Sequence, residues 1–439
     1  MANFNTVSIN SFLKEREDRF KPEEANKLAL KRLEKIDFSG NIHIVEDKET
    51  RTGMILVKKG DLVISGINVE KGAISVYNGQ DDVLATIHYS SYSFDKSKID
   101  VDYFKWFLRS KTFKDIVNSS IKGGIKTELK PKKFLPLIIP LPDLNTQIEI
   151  RKKLDSVDNE IKELVDIDFK NEDYIQKLRQ SILQEAVSGK LVPQDSKDEP
   201  ASELLKKIEA EKEKLIKEGK IKKDKPLPPI SKDEIPYELP KGWEWVKLGE
   251  VYSILRGSSP RPKGDKRFFS EKPTNFNWIT ISDITNFCND SILLKTKEFL
   301  TSEGSQRSTF VNKDEVIIAV SGSTTGKSCI TGINGYIYDG LAVFKKITTI
   351  INNQYFYIFI KQLYDSLNKS KEGSAFPNIN TEKLKNIIFS LPPLPEQIRI
   401  VQKVNQLMKL CDELETKVKE NQKNSELLME AVLREAFET

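Results

Sequence analysis

Two stretches of the chain carry apolar residues at alternating spacings of four and three. The first runs Ile150, Leu154, Val157, Ile161 and Leu164, then Ile175, Leu178 and Ile182, with Asp168 and Asn171 filling the places between. The second runs Ile400, Val404, Leu407, Cys411, Leu414 and Val418, then Leu428 and Val432, with Asn421 and Ser425 in the row. This is the seven-residue repeat of a helix with one narrow apolar stripe, sustained for more than four heptads. Pro142 and Pro392 stand just ahead of the two stretches, where a helix start loses little by a missing N–H. Each pattern predicts a helix of roughly forty residues, ~60 Å at 1.5 Å per residue. A long helix with one stripe needs a partner, and each stretch is the obvious partner of the other. A long domain lies between them and carries the chain back, so the pair is expected as an antiparallel intrachain coiled coil. Asn171 and Asn421 interrupt the stripe at equivalent places. They read either as solvated gaps or as a buried pair that fixes register and orientation.

The two stretches are copies. LPDLNTQIEIRKKL from Leu141 and LPPLPEQIRIVQKV from Leu391 match at an offset of 391 − 141 = 250, without a gap, for about fifty residues. Gln147/Gln397, Ile150/Ile400, Leu164/Leu414, Asn171/Asn421 and Leu178/Leu428 are among the identities. A period that long marks a duplicated domain pair rather than a solenoid. The blocks ahead of the helices agree in plan. Each has a strand-like run into a Gly-rich turn, DLVISGINVEKGAI from Asp61 and EVIIAVSGSTTGKSCI from Glu315. Each follows with an aromatic amphipathic helix, VDYFKWFLRS from Val101 and NQYFYIFIKQLYDS from Asn353, and then a polar glycine loop, KGGIK at Lys122 and KEGSAF at Lys371. The expected class is therefore α+β, with two globular domains separated by two long helices. The boundaries fall at 1–140 for the first domain, 141–190 for the first helix, 191–238 for a connector, 239–391 for the second domain and 392–439 for the second helix. Within the connector, eighteen of the twenty-nine residues Lys197–Lys225 are charged, with i,i+4 pairs Glu203–Lys207 and Glu213–Lys217. That segment reads as a short solvated helix ahead of the proline-rich KPLPPI.

Charge and composition narrow the chemistry. Lys+Arg is 70 and Asp+Glu 65 in 439 residues, so distribution rather than net charge must point to a partner. Cys288, Cys329 and Cys411 lie far apart with no CxxC, which excludes a Cys-based zinc finger and argues for a reducing compartment. Nothing at the start reads as a signal peptide, and no apolar run approaches the ~18 residues of a membrane span, so a cytoplasmic protein is expected. Ser321–Ser328 invites a phosphate-loop reading, but Gly322 and Gly326 enclose three residues where the motif needs four. No Asn/Asp-Pro-Pro-aromatic turn of an adenine methylase and no Gly-x-Gly-x-x-Gly is present, and His43 and His88 have no evident nucleophile. No catalytic or metal-ligating set emerges.

Basic clusters in Gly/Ser/Pro-rich loops remain. Arg256–Arg267 holds five cations and one acid, and Lys122–Lys133 five lysines and one glutamate. Candidate phosphate and base-edge contacts are Arg256, Ser258, Arg261, Lys263 and Arg267 in the first of these, and Lys122 and Lys126 in the second. Arg16 and Arg19 near the start join them. So do Asn68 and Lys71, Ser323, Thr325 and Lys327, and Lys371 and Ser374, in the glycine turns.

LPPLPEQ at Leu391, its copy at Leu141, LRQSILQEAVSGKLVPQD at Leu178 and LPKGWEWVKLGEV at Leu239 together resemble the specificity subunit of type I restriction–modification enzymes. The resemblance covers nearly the whole chain as architecture, although the start, MANFNTVSINSFL, has no tryptophan to match LPKGWEWVKLGEV. It implies a non-catalytic DNA-binding subunit whose two target-recognition domains each read one half of a bipartite site. It further implies that the helices dock two modification (methyltransferase) subunits, and that restriction (translocase/endonuclease) subunits can join. Cofactors are then expected on the partners alone: S-adenosylmethionine, ATP and Mg. Two other classes stay open at this point, a coiled-coil adaptor with two binding heads and an enzyme with a nucleotide loop at Gly322.

Overall fold

The computed structural model describes residues 4–38, 40–46, 49–67, 72–121, 129–221, 223, 225–289, 291–348, 351–369 and 379–438. The chain forms two compact units, Met1–Lys170 with Val418–Thr439, and Asn171–Lys417. Each unit is an α+β head carrying the beginning of one long helix and the end of the other.

In the first unit a four-stranded sheet runs in the order Leu13–Glu15, Tyr89–Phe94, Leu62–Ser65, Ile74–Val76. The second unit repeats this order with Tyr252–Arg256, Leu341–Lys346, Val316–Ala319 and Ser328–Thr331, then adds Ile292–Leu293 and Cys288–Asn289 at the edge. A five-stranded sheet accompanies each. Its one parallel pairing joins Arg32–Ile36 to Val83–Thr86 in the first unit and Asn277–Ile279 to Gly335–Ile337 in the second. The central strands Leu62–Ser65 and Val316–Ala319 are buried throughout, in keeping with the apolar runs Leu62–Ile64 and Val316–Ala319. The second head is larger between its parallel strands, where a short helix, Ile281–Asn286, and the two added edge strands are inserted.

The start of the chain finds its counterpart in spite of the missing tryptophan. Thr6–Ser8 pairs with Ile138–Pro140 just as Glu244–Lys247 pairs with Ile388–Leu391. Ile9 N–H then donates to Leu137 O, as Leu248 N–H does to Ile387 O. The backbone bonds repeat although the side chains do not.

Both long helices span 44 residues, Leu144–Val187 and Leu394–Phe437. In the first unit Leu154 of one helix and Met429, Leu433 and Phe437 of the other join the core of the head, where the Phe437 ring lies 5.5 Å from those of Tyr103 and Phe107. In the second unit the Val187 carbonyl, at the helix end, accepts from Ser390 Oγ and Tyr237 Oη, while Arg179 reaches Asp412 (2.6 Å) and Glu415 (3.2 Å). Val187 beside Ser390 and Arg179 beside Asp412 make the pairing antiparallel.

The seam is not the expected one. Leu164, Leu178, Leu414 and Leu428 are all 45–48% exposed. The covered positions are instead Ile161, Val165 and Asp168 with Val418, Gln422 and Ser425 in the first unit, and Glu172, Ile175, Arg179 and Ile182 with Val404, Met408, Cys411 and Glu415 in the second. One row of the heptad is common to both readings; the other moves to the opposite neighbour, a turn of about 50° around the helix axis. Asn421 is exposed and Asn171 half-buried, so the buried-pair reading of these two gives way to the solvated one. Two polar residues of these rows are buried, Asp168 at 4% and Ser425 at 6% exposed.

The connector helix, Ala201–Lys217, is less solvated than expected. Ala201, Leu204 and Ile208 are buried, and Lys212 Nζ donates to Gly249 O at 2.7 Å.

Candidate nucleic-acid interface

The antiparallel order of the central sheet collects several loops at one end. In the second head these are the end of the strand Tyr252–Arg256, the hairpin 320–327 and the turn 338–340. Gly257 N–H donates to Leu341 O, Ser258 N–H to Ile337 O, and Val320 N–H to Gly340 O. The approach is close: a Cβ on Gly257 would lie 2.0 Å from the Tyr338 carbonyl oxygen. Only glycine fits there, so the loop that begins at Ser258 leaves the sheet from a fixed point.

The same framework stands in the first head. Ser65 N–H donates to Ala73 O as Ala319 N–H does to Lys327 O, and Gly66 N–H to His88 O as Val320 N–H does to Gly340 O. Both connections span eight residues, 66–73 and 320–327. Each places a glycine with positive φ at the same point, Gly72 at 97° and Gly326 at 93°. The turns that enter the central strands match as well. Lys58 N–H donates to the buried Asp61 carboxylate (2.9 Å), and Asn312 N–H to the buried Glu315 carboxylate (2.8 Å). Gly60 and Asp314, one residue earlier, adopt φ of 86° and 67°.

The hairpin 320–327 also answers the phosphate-loop question. The strand before it is followed by another strand, Ser328–Thr331, paired antiparallel, and no helix N-terminus opens where phosphates would sit. Thr325 is 1% exposed with its hydroxyl donated to Gly322 O, so it serves the turn instead of facing a ligand. Ser323 is exposed and Lys327 half-buried.

Acids that the sequence separates widely temper the arginine-rich loop. Arg261 Nη2 donates to Asp339 Oδ2 (2.8 Å) and Arg256 Nε to the Asp339 carbonyl (2.8 Å). Arg267 grips Asp265 with Nε and Nη2 and holds that carboxyl below its usual range. Lys266 pairs with Glu271 at 2.8 Å. These pairs are exposed and screened by solvent, so none of them locks its side chain in place. Lys263 is exposed at the rim of a groove of about 390 Å³ lined by Arg261, Phe269, Trp278, Thr280, Ser282 and Tyr338. Ser258 Oγ donates to Arg307 O, and the Arg307 guanidinium lies 4.4 Å from the Phe268 ring centre. Arg307, Asp339 and the groove hydroxyls were not singled out from sequence; only tertiary structure gathers them.

In the first head Arg16 is committed elsewhere. It forms a two-pronged pair with Asp61, which is 2% exposed and also accepts from Ser91 Oγ, so Arg16 is a fixed part of the head and not a free cation. Arg19 is exposed beside Glu15 at 3.1 Å. Asn68, Lys71, Lys122, Lys126, Lys371 and Ser374 lie outside the described residues.

Gln147 and Gln397 gain a role that the repeat pointed to without explaining. Gln147 Oε1 accepts from Asp100 N–H (2.8 Å), and its amide donates to Pro142 O (2.8 Å) and Lys98 O (3.2 Å). Gln397 Oε1 accepts from Asn352 N–H (2.9 Å), and its amide donates to Pro392 O (2.9 Å). In both copies this buried amide pins the start of a long helix to the residue that caps the helix of its head.

Comparison with known proteins agrees with this geometry. Residues 20–167 and 240–423 match the type I restriction modification DNA specificity domain, and the chain belongs to that family. It is 36% identical over 267 residues to the type I restriction enzyme EcoAI specificity subunit of Escherichia coli, covering 59% of this chain and 44% of that one. The EcoEI specificity subunit of Escherichia coli is 33% identical over 287 residues, covering 62% and 47%. The chain thus spans about half the length of these curated relatives. Among solved structures, the HsdS subunit of Thermoanaerobacter tengcongensis shares the fold, with TM-score 0.59, 17% identity and 99% of this chain and 97% of that one covered. A chain from a type I R-M system superposes with TM-score 0.61 at 18% identity, covering 100% and 98%. Among the described residues no helix is long and apolar enough to cross a membrane.

Proposed function

We propose that this chain is the target-reading subunit of a type I restriction–modification assembly. Each head reads one half of a split duplex site through the loop end of its central sheet. Lysine and arginine engage phosphates, and polar side chains reach base edges in the major groove. The chain carries out no chemistry itself. Two modification subunits bring S-adenosylmethionine and methylate adenine, and restriction subunits bring ATP and Mg, all in the cytoplasm.

The observation that carries this reading is the duplicated head, with two equivalent sheet ends whose framework bonds agree and whose loop chemistry differs. One scaffold that presents two different loop sets is what a two-part target calls for. The exposed apolar rows on the long helices support the docking of partners: Leu164, Phe169 and Leu428 in the first unit, and Tyr174, Leu178 and Leu414 in the second. Such rows cost solubility unless something covers them.

The test is to sequence the methylated bases of the source genome with and without this gene. A split adenine-methylated motif that vanishes on deletion is expected. Unchanged methylation at every motif overturns the reading.

A further inference from the structure

We infer that Arg261 reads a guanine in the half-site of the second head, and that Asp339 is the positioning residue that aims it. The inference rests on the DNA-reading function proposed above and goes on to name a residue and a base.

Asp339 is fixed through its backbone. Its N–H is held by Ser259 Oγ (3.2 Å) and its carbonyl by Arg256 Nε (2.8 Å), within the turn that Gly257 packs against. Tyr338, the residue before, donates its N–H to Ile279 O (3.2 Å), which ties the turn to the second sheet as well. The carboxylate of Asp339 therefore projects from an anchored backbone. It takes one N–H of Arg261, at Nη2. A guanidinium has five N–H donors in a rigid fork, so four remain. The Arg261 side chain is 70% exposed at the rim of the groove, so those donors face solvent.

A phosphate needs charge, whereas a base needs orientation. The carboxylate of Asp339 offsets part of the Arg261 charge and, through its one hydrogen bond, biases the direction in which the fork points. A fork with two parallel N–H donors matches O6 and N7 of guanine, the commonest specific contact in the major groove. Lys263, two residues on and also at the rim, is the point charge better suited to the backbone. The first head has no such pair on the matching turn. There Ile87 and His88 occupy the place, both exposed.

The test is selection of bound sequences from a randomised duplex pool by the full-length chain, assembled with its modification subunits. Wild type should select two half-sites. Arg261→Lys should lose preference at one guanine of one half-site, by roughly 5- to 150-fold, the span of a good bidentate contact. Asp339→Asn should relax that same position and no other, which loss of folding could not do. Lys263→Ala should weaken binding to all sequences alike and leave preferences unchanged. If Arg261→Lys leaves every preference intact, or shifts a position that is not guanine, the inference is overturned while the DNA-reading function stands. A wild type that selects no sequence overturns that function, and this inference with it.

Discussion

The two heads share a chassis and differ in what they hang on it. The order of the four shared strands of the central sheet, the parallel pair, the buried carboxylate at the entry turn and the amide pin of the long helix all recur. The differences gather at the sheet end and beside it. The second head has Arg256, Asp339 and Arg261 interlocked there, together with inserted elements that widen its central sheet. The first head has its best-placed arginine, Arg16, drawn inward onto Asp61. Even the shared carboxylate has thus been used differently. In the first head it closes the turn and neutralises a cation; in the second it closes the turn alone.

Replacing that carboxylate gives the largest effect and breaks the equivalence most sharply. Asp61→Ala removes the partner of a half-buried guanidinium, of Ser91 Oγ and of Lys58 N–H together. It should cost about 3–5 kcal/mol, the range for stranding one member of a buried pair. Glu315→Ala frees only Asn312, at its N–H and its Nδ2, and should cost about 1–3 kcal/mol. Denaturant titration of the two variants decides. Equal losses would mean that the Arg16 pair contributes nothing beyond the turn.

The glutamine pins should show the opposite, a matched pair of effects. Gln147→Ala and Gln397→Ala each leave a backbone N–H and at least one carbonyl without their partner in a buried place. Losses of about 2–3 kcal/mol are expected, similar in the two variants and read in the same titrations. A large difference would show that the helices are anchored differently in the two units.

How much of this could be read from sequence follows from which interactions are local. The long helices and the duplication were legible because periodicity and a gapless 250-residue offset are properties of the string. The buried strands at Leu62 and Val316 and the amphipathic helices at Val101 and Asn353 were legible for the same reason. The seam was not. Its two candidate faces share one row of residues, and local periodicity cannot say which flanking row turns inward. Contacts between residues far apart in sequence decide that, such as Arg179 with Asp412. The loop end of the second head was found in part, since Arg256, Arg261 and Lys263 sit in one dense loop. Asp339 lies 78 residues from Arg261, and no local signal joins them.

A smaller effect separates the units by pH. Glu396, in the second unit, is 1% exposed and accepts from Trp243 Nε1 (2.9 Å) and Gln194 Nε2 (3.1 Å). Burial raises its pKa above the ordinary 4.5. A carboxyl with a raised folded pKa holds its proton more readily in the folded state, so it favours folding at low pH. That contribution is lost as pH rises from the ordinary value through the raised one. Glu396→Gln should therefore flatten the fall in stability of the second unit across that window. The position of Glu396 in the first helix copy is Thr146, which has no charge to titrate. The first unit should show no such change. Melting curves at several pH values for wild type and variant test this, and identical pH dependence would dismiss it.

The smallest effect on stability is expected from the exposed rows of the long helices, and it asks whether the two units end in equivalent surfaces. The 250-residue offset maps Leu164 onto Leu414 and Leu178 onto Leu428. The first unit therefore carries Leu164 and Leu428, and the second carries their copies, Leu414 and Leu178. All four are nearly half exposed, so replacing them with serine removes only part of a leucine's packing and should cost about 1 kcal/mol per site. A surface that stays apolar and nearly half exposed in both copies is the one that the proposed docking of partners would use. Leu164→Ser with Leu428→Ser should release one modification subunit from the assembly, and Leu178→Ser with Leu414→Ser the other, each leaving a complex one subunit lighter in native mass spectrometry. All four together should leave a folded chain, with its sequence-selective DNA affinity intact, that no longer directs methylation. Loss of folding in these variants would place the rows in the core. Full assembly in all of them would mean that the partners dock elsewhere and that the rows repeat for another reason.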